Sequence, residues 1–127
     1  MGTNMRLWID DERPVPAEFN YNALSSAQAI NLLQKAKDEG TTVELISFDH
    51  DLGMAYIEHW YNGEVRLTDD TSRRVLTWII EKDFWPQEIR FHTANRVGHE
   101  WLVGTAVRYA PATTNVVTTD FWRAPWE

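Results

Sequence analysis

Apolar positions in this chain fall in short blocks whose spacing alternates between continuous and helical. Met5 to Ile9 (MRLWI) and Val43 to Phe48 (VELISF) are brief, nearly unbroken apolar runs, the pattern of strands buried on both faces. Between them Ala29, Ile30, Leu33 and Ala36 recur at helical spacing and predict a helix with one inward stripe. Ser25-x-x-Gln28 fits a capping box at its start, and Gly40 is its natural stop. Val75, Leu76, Ile79 and Ile80 predict a second helix, capped by Asp70 or Thr71 and ending near Asp83, ahead of Pro86. Glu88 to His92 reads as another strand. Trp101, Leu102 and Val107 mark a third helix from about His99 to Tyr109, and Val116 to Thr118 a last short strand.

Strands alternating with helices predict a single α/β domain over residues 1–127, compact and three-layered, with a mainly parallel sheet between helices. Two stretches depart from that scheme. Arg13-Pro14-Val15-Pro16 forbids regular helix between the first strand and a weak second one at Phe19 to Leu24. A parallel crossover ordinarily needs a dozen residues or more. Either the first crossover helix has shrunk to a turn, or the second strand is marginal. The other departure is Tyr56 to Thr68, where Asn62-Gly63 lies between β-prone segments and predicts a hairpin insertion. That hairpin is either a lid carrying His59, Trp60 and Tyr61 or an inert insertion. The aromatic tail with Phe121, Trp122 and Trp126 is either a partner surface or a segment folded over a helix.

Composition narrows the function classes. A hydrophobic share of 43% over 127 residues excludes disorder. Nothing approaches a membrane-spanning apolar run, and the N-terminus lacks a signal peptide's apolar block, so a cytoplasmic protein with no membrane partner is expected. The absence of cysteine removes disulfides, thiolate zinc sites and Cys nucleophiles. Twelve basic against nineteen acidic side chains give a net charge of −7, which argues against binding duplex DNA.

The candidate chemistry lies where polar residues end the strands. Asp10 and Asp11 end one strand, Asp49 and Asp51 another, Thr93 and Asn95 a third. Ligands of open parallel sheets bind beyond the carboxyl ends of the strands. Converging carboxylates call for a hard cation, and magnesium or another divalent ion suits Asp10, Asp11, Asp49 and Asp51. Taken singly, each acid is equally a turn or loop cap. His50 and His92 sit at two strand ends, where a facing pair would supply acid and base for cleaving a phosphodiester. Alternatively they hydrogen-bond within the site and orient a carboxylate. Arg73 and Arg74 begin a helix, a poor place for positive charge unless a phosphate sits there, and Arg96 is placed to join them. Such arginines are also common on solvated surfaces. Arg13 either pins the acids or faces water. No phosphate loop, dinucleotide fingerprint, G-x-S-x-G elbow or H-E-x-x-H occurs.

LWIDDERP (Leu7 to Pro14), ISFDHDLG (Ile46 to Gly53) and IRFHTANRVG (Ile89 to Gly98) resemble, in order and spacing, the three signature blocks of the cyclic-phosphate processing receiver domain family. The resemblance implies a compact receiver-like (flavodoxin-like) fold with an acidic cation-binding pocket. It also implies an activity on cyclic phosphate ends or cyclic nucleotides, linked to RNA processing. Asp10 and Asp11 resemble the receiver's paired metal-binding acids, Asp49 its phosphoacceptor and Thr93 its hydroxyl residue. His50, Asp51, His92 and Asn95 match the additions that mark the cyclic-phosphate group. The chain departs from ordinary receivers in offering no lysine at Thr118-Thr119-Asp120, and Tyr56 to Thr68 is longer than the family pattern.

The expected activity is that of a metal-dependent phosphoesterase, a hydrolase acting on a 2′,3′-cyclic RNA end or a cyclic nucleotide. In it His50 and His92 transfer protons, Asp51 orients an imidazole, and Asn95 with Arg73 or Arg96 steadies phosphate oxygens. The alternative is a non-catalytic receiver-like binding or signalling module that takes a phosphate or cyclic nucleotide in the same pocket.

Overall fold

The computed structural model describes residues 4–58 and 63–118. The first strand, β1 (Met5–Ile9), pairs in parallel with β2 (Tyr21–Ala23) on one side and β3 (Val43–Phe48) on the other. Beyond β3 lie β6 (Glu88–Phe91) and then β7 (Asn115–Val116), both parallel. The sheet order β2-β1-β3-β6-β7 is the doubly wound order of flavodoxin-like proteins. The chain reverses its direction of winding between β1 and β3, so the binding crevice belongs at the ends of those two strands.

Three helices, α1 (Ser26–Glu39), α2 (Arg73–Lys82) and α3 (Arg96–Tyr109), join one core with Leu7, Ile9, Ile46, Phe48, Ile89 and Phe91 of the sheet. Their inward residues are Ala29, Leu33 and Ala36, then Val75, Leu76 and Ile79, then Leu102 and Ala106. Val107, one of the apolar residues that mark α3 in the sequence, is exposed, and Ala106 faces the core. Alternate residues of the central strands face the opposite way. There Trp8 and Leu45 pack with Phe19 from the connection between β1 and β2. That connection, residues 10–20, contains no helix, so both open alternatives hold: the crossover helix is gone and β2 is only three residues long. Among the described residues, a loop covers the second sheet face where a three-layered fold would carry helix. No described helix is long and apolar enough to cross a membrane.

At α1 the forward half of the capping box forms, and the return bond goes to the residue before the N-cap. Ser25 Oγ accepts from the Gln28 N–H, and the Gln28 amide oxygen accepts from the Leu24 N–H. At α2 the expectation fails. Asp70 and Thr71 belong to a strand, and Ser72 stands at the N-cap without a side-chain bond. The Asp70 carboxylate instead accepts from the N–H and hydroxyl of Ser26, at 2.8 and 2.6 Å, so it secures the start of α1.

The insertion is a hairpin, longer than its sequence signal. β4 (Asp51–Glu58) and β5 (Val65–Thr71) pair antiparallel as a separate two-stranded sheet. The strands start earlier because Leu52 is buried in the main core and the Ser72 N–H donates to the His50 carbonyl, closing the base. His59, Trp60, Tyr61 and Asn62, and Phe121, Trp122 and Trp126 near the C-terminus, lie outside the described residues.

Candidate active site

Asp10 and Asp11 follow β1, Asp49 follows β3, and His92 and Thr93 follow β6. Adjacent parallel strands thus deliver these side chains to one end of the sheet. One carboxylate oxygen from each of Asp10, Asp11 and Asp49 lies within 4.8 Å of the others. Three such oxygens, completed by water, are a donor set that magnesium accepts. Gly53 helps to assemble it. At φ +78° it forms a bulge between Asp51 and Met54, and a Cβ there would come within 3.2 Å of Asp11 Oδ2.

Asp10 is buried and saturated with donors. Its Oδ1 accepts from the N–H groups of Glu12 and Arg13, and its Oδ2 from Arg13 Nη1 and His92 Nε2, both at 3.0 Å. Burial alone would raise its pKa, but the bonds from His92, the two backbone amides and Arg13 prevail and hold it well below the ordinary carboxylate range. Asp49 goes the other way. Burial and the neighbouring Asp10 charge push it up, against opposing pulls from Arg13, His92 and the Thr93 hydroxyl. Arg13 also reaches Asp49 Oδ2 at 3.2 Å, so it does pin the acids.

The two imidazoles occupy different settings. His92 is buried, stacked at 3.7 Å on the Trp8 ring, with Nδ1 2.7 Å from Ser47 Oγ. A carboxylate can only accept, so Nε2 carries the proton toward Asp10 and Nδ1 receives the Ser47 hydroxyl proton. Burial lowers the His92 pKa, outweighing the attraction of Asp10 and Asp49, and burial likewise lowers His99 despite Glu100. His50 follows Asp49 at the end of β3. Its N–H donates to Asp49 Oδ1, and its ring Nδ1 is 2.8 Å from Asp51 Oδ1. Arg73 Nε donates to His50 Nε2 at 2.8 Å while its guanidinium lies over the Trp101 ring at 4.7 Å. An arginine can only donate, so the His50 lone pair is on Nε2 and its proton faces Asp51.

The family model of the cyclic-phosphate processing receiver domain matches residues 5–108. The chain belongs to that family. No curated protein and no solved structure matches it.

Within this receiver domain the remaining candidates separate by position. Asp51, placed with the metal ligands by sequence, stands outside the three-acid group and bonds His50 and the Asn95 amide instead. Asn95 is the N-cap of α3, accepting from the Gly98 N–H at 2.9 Å, so that helix begins three residues earlier than expected. Thr93 is buried, with its Oγ1 accepting from the Asn95 N–H. Arg74 donates to Ser26 Oγ, beside Asp70 rather than the acid cluster. Arg96 leaves the site altogether. Its side chain is 91% exposed and paired with Glu100 one turn along α3.

Residues that sequence reading passed over complete the arrangement. Ser47 is the polar residue in the apolar run VELISF, and that mismatch was its available signal. Trp8 supports His92, Trp101 supports Arg73, and Gly98 makes room for the His50 ring.

The buried imidazoles set a pH dependence. The unfolded chain takes up a proton on each His near the ordinary value of 6.5, whereas folded His92 and His99 resist it until lower pH. Stability is therefore expected to fall as pH drops below about 6.5, by at most about 1.4 kcal/mol per pH unit for each imidazole. Denaturant melts from pH 7.5 to 5 check this, and His92→Gln should flatten the slope.

Proposed function

We propose that this receiver domain opens cyclic phosphodiesters by hydrolysis, taking a 2′,3′-cyclic RNA end or a cyclic nucleotide and releasing a linear monophosphate. The supporting observation is the cluster of Asp10, Asp11 and Asp49 carboxylates, followed in the chain by His50, whose backbone N–H bonds Asp49 and whose imidazole Asp51 orients from Nδ1. Asp10, Asp11 and Asp49 would hold magnesium or another divalent ion. Such an ion, when bound, polarises a phosphoryl oxygen.

The chain's own part is proton transfer and positioning. His50 Nε2 takes the proton of a water that attacks phosphorus, and the Asp51 carboxylate stabilises the imidazolium. One P–O ester bond breaks, and the same proton passes to the departing hydroxyl oxygen. Arg73 caps Nε2 in the free protein; turning toward the phosphate frees the lone pair and brings the guanidinium to the nonbridging oxygens. Asn95 holds Asp51, and His92 holds Asp10, as positioning residues. Phosphorus NMR of cyclic nucleotides and of RNA with a 2′,3′-cyclic end, with magnesium and with EDTA, tests the reading. Turnover that needs the ion and falls about 10²- to 10⁴-fold in His50→Gln supports it. Absence of turnover on every cyclic substrate overturns it.

The non-catalytic receiver reading has its own support in Asp49, buried beside the Thr93 hydroxyl. Saturable beryllofluoride binding, lost in Asp49→Ala and unaccompanied by hydrolysis, would favour it.

A further inference from the structure

We propose that the Arg13 guanidinium is a displaceable internal cation, which competes with a divalent ion for Asp10 and Asp49 and must withdraw before Asp10 can coordinate directly. The inference rests on the divalent-cation reading above and adds a control built into the same cleft.

It follows from counting lone pairs. A carboxylate offers about four acceptor sites. Asp10 has all of them engaged: Oδ1 by the Glu12 and Arg13 amides, Oδ2 by Arg13 Nη1 and His92 Nε2. A metal ion bonded to Asp10 must replace one of these donors. The two amides belong to the backbone turn that leads into Pro14. His92 is 2% exposed and clamped between Trp8 and Ser47. Arg13 is the donor with room to leave, on a long side chain that is 23% exposed. The same Nη1 that occupies Asp10 Oδ2 also lies 3.2 Å from Asp49 Oδ2, so one departure releases an oxygen on both acids.

Competition of this kind has a double signature. Removing the guanidinium deprives the ion-free protein of the charge that offsets its acids, yet clears the way for the metal. In Arg13→Gln the ion-free melting temperature should fall, while manganese should bind about tenfold tighter, because the competent state is no longer the minority. Arg13→Lys, which keeps one charge but loses the planar guanidinium whose Nη1 bridges both acids, should shift both quantities the same way by less.

Isothermal titration with manganese chloride, paired with thermal melts in EDTA, is the experiment. Tighter binding with a lower ion-free melting temperature in either variant supports the proposal, as does binding that appears only in the variants. Manganese affinity unchanged or weakened in both variants, with binding by the natural sequence intact, overturns it and leaves the divalent-cation reading standing. No binding by any of the three at millimolar manganese overturns both. Should Arg13→Gln not fold, Arg13→Lys carries the comparison.

Discussion

Gly98→Ala is expected to lower cyclic-phosphate turnover by about 100-fold or more while leaving secondary structure intact. A Cβ at position 98 would sit 2.7 Å from His50 Nδ1 and nearer still to the ring carbons. The ring is held on one side by Asp51 and on another by Arg73, so it cannot yield without leaving both partners. Overpacking of this sort costs about 1–3 kcal/mol. Gly104→Ala in the same helix is the matched control, because nothing lies within 4 Å of its added Cβ. That change should stabilise the protein by roughly 0.5–1 kcal/mol, the helix propensity difference alone. Phosphorus NMR rates, far-ultraviolet circular dichroism and urea melts on the two variants separate a displaced His50 from a generally weakened α3. Equal activity in both variants would remove His50 from the mechanism.

Asp70→Ala is expected to be the most destabilising substitution outside the apolar core, by about 2–4 kcal/mol. The carboxylate is 1% exposed and ties the base of the hairpin to the first turn of α1 through two bonds to Ser26. Deleting it leaves the Ser26 N–H unpaired in a buried place and exposes Arg74 to the loss of its nearest acid, 4.0 Å away. Asp70→Asn, which keeps an acceptor, should lose about half as much. Urea denaturation with the slope held common measures the difference. A loss under 1 kcal/mol in Asp70→Ala would show that hairpin and helix hold together without this tether.

The order of elements was legible because each signal is local. Unbroken apolar runs gave β1 and β3, helical spacing gave α1 and α2, and Gly40 ended α1 in the left-handed conformation expected of a C-cap. The three strand ends bearing Asp10, Asp49 and His92 could also be placed, since parallel strands must put their carboxyl ends together. Boundaries set by distant partners were not legible. Asp70 reads as a helix cap because Asp followed by a polar pair is a common cap. Its actual partner, Ser26, lies 44 positions away. Asn95 showed the reverse case, a local cap read as a loop residue because its neighbours suggested chemistry.

Periodicity and motif spacing are properties of neighbouring residues, and they were enough to read the α/β alternation, the family, and which acids and imidazoles stand at strand ends. How those groups divide emerges only in the folded chain: Asp10, Asp11 and Asp49 together, Asp51 with His50, His92 behind Asp10, and Arg96 out in solvent. The reason is directional. A strand end fixes where a side chain starts, but its partner is chosen by rotamer, burial and competition among donors from segments far apart along the chain.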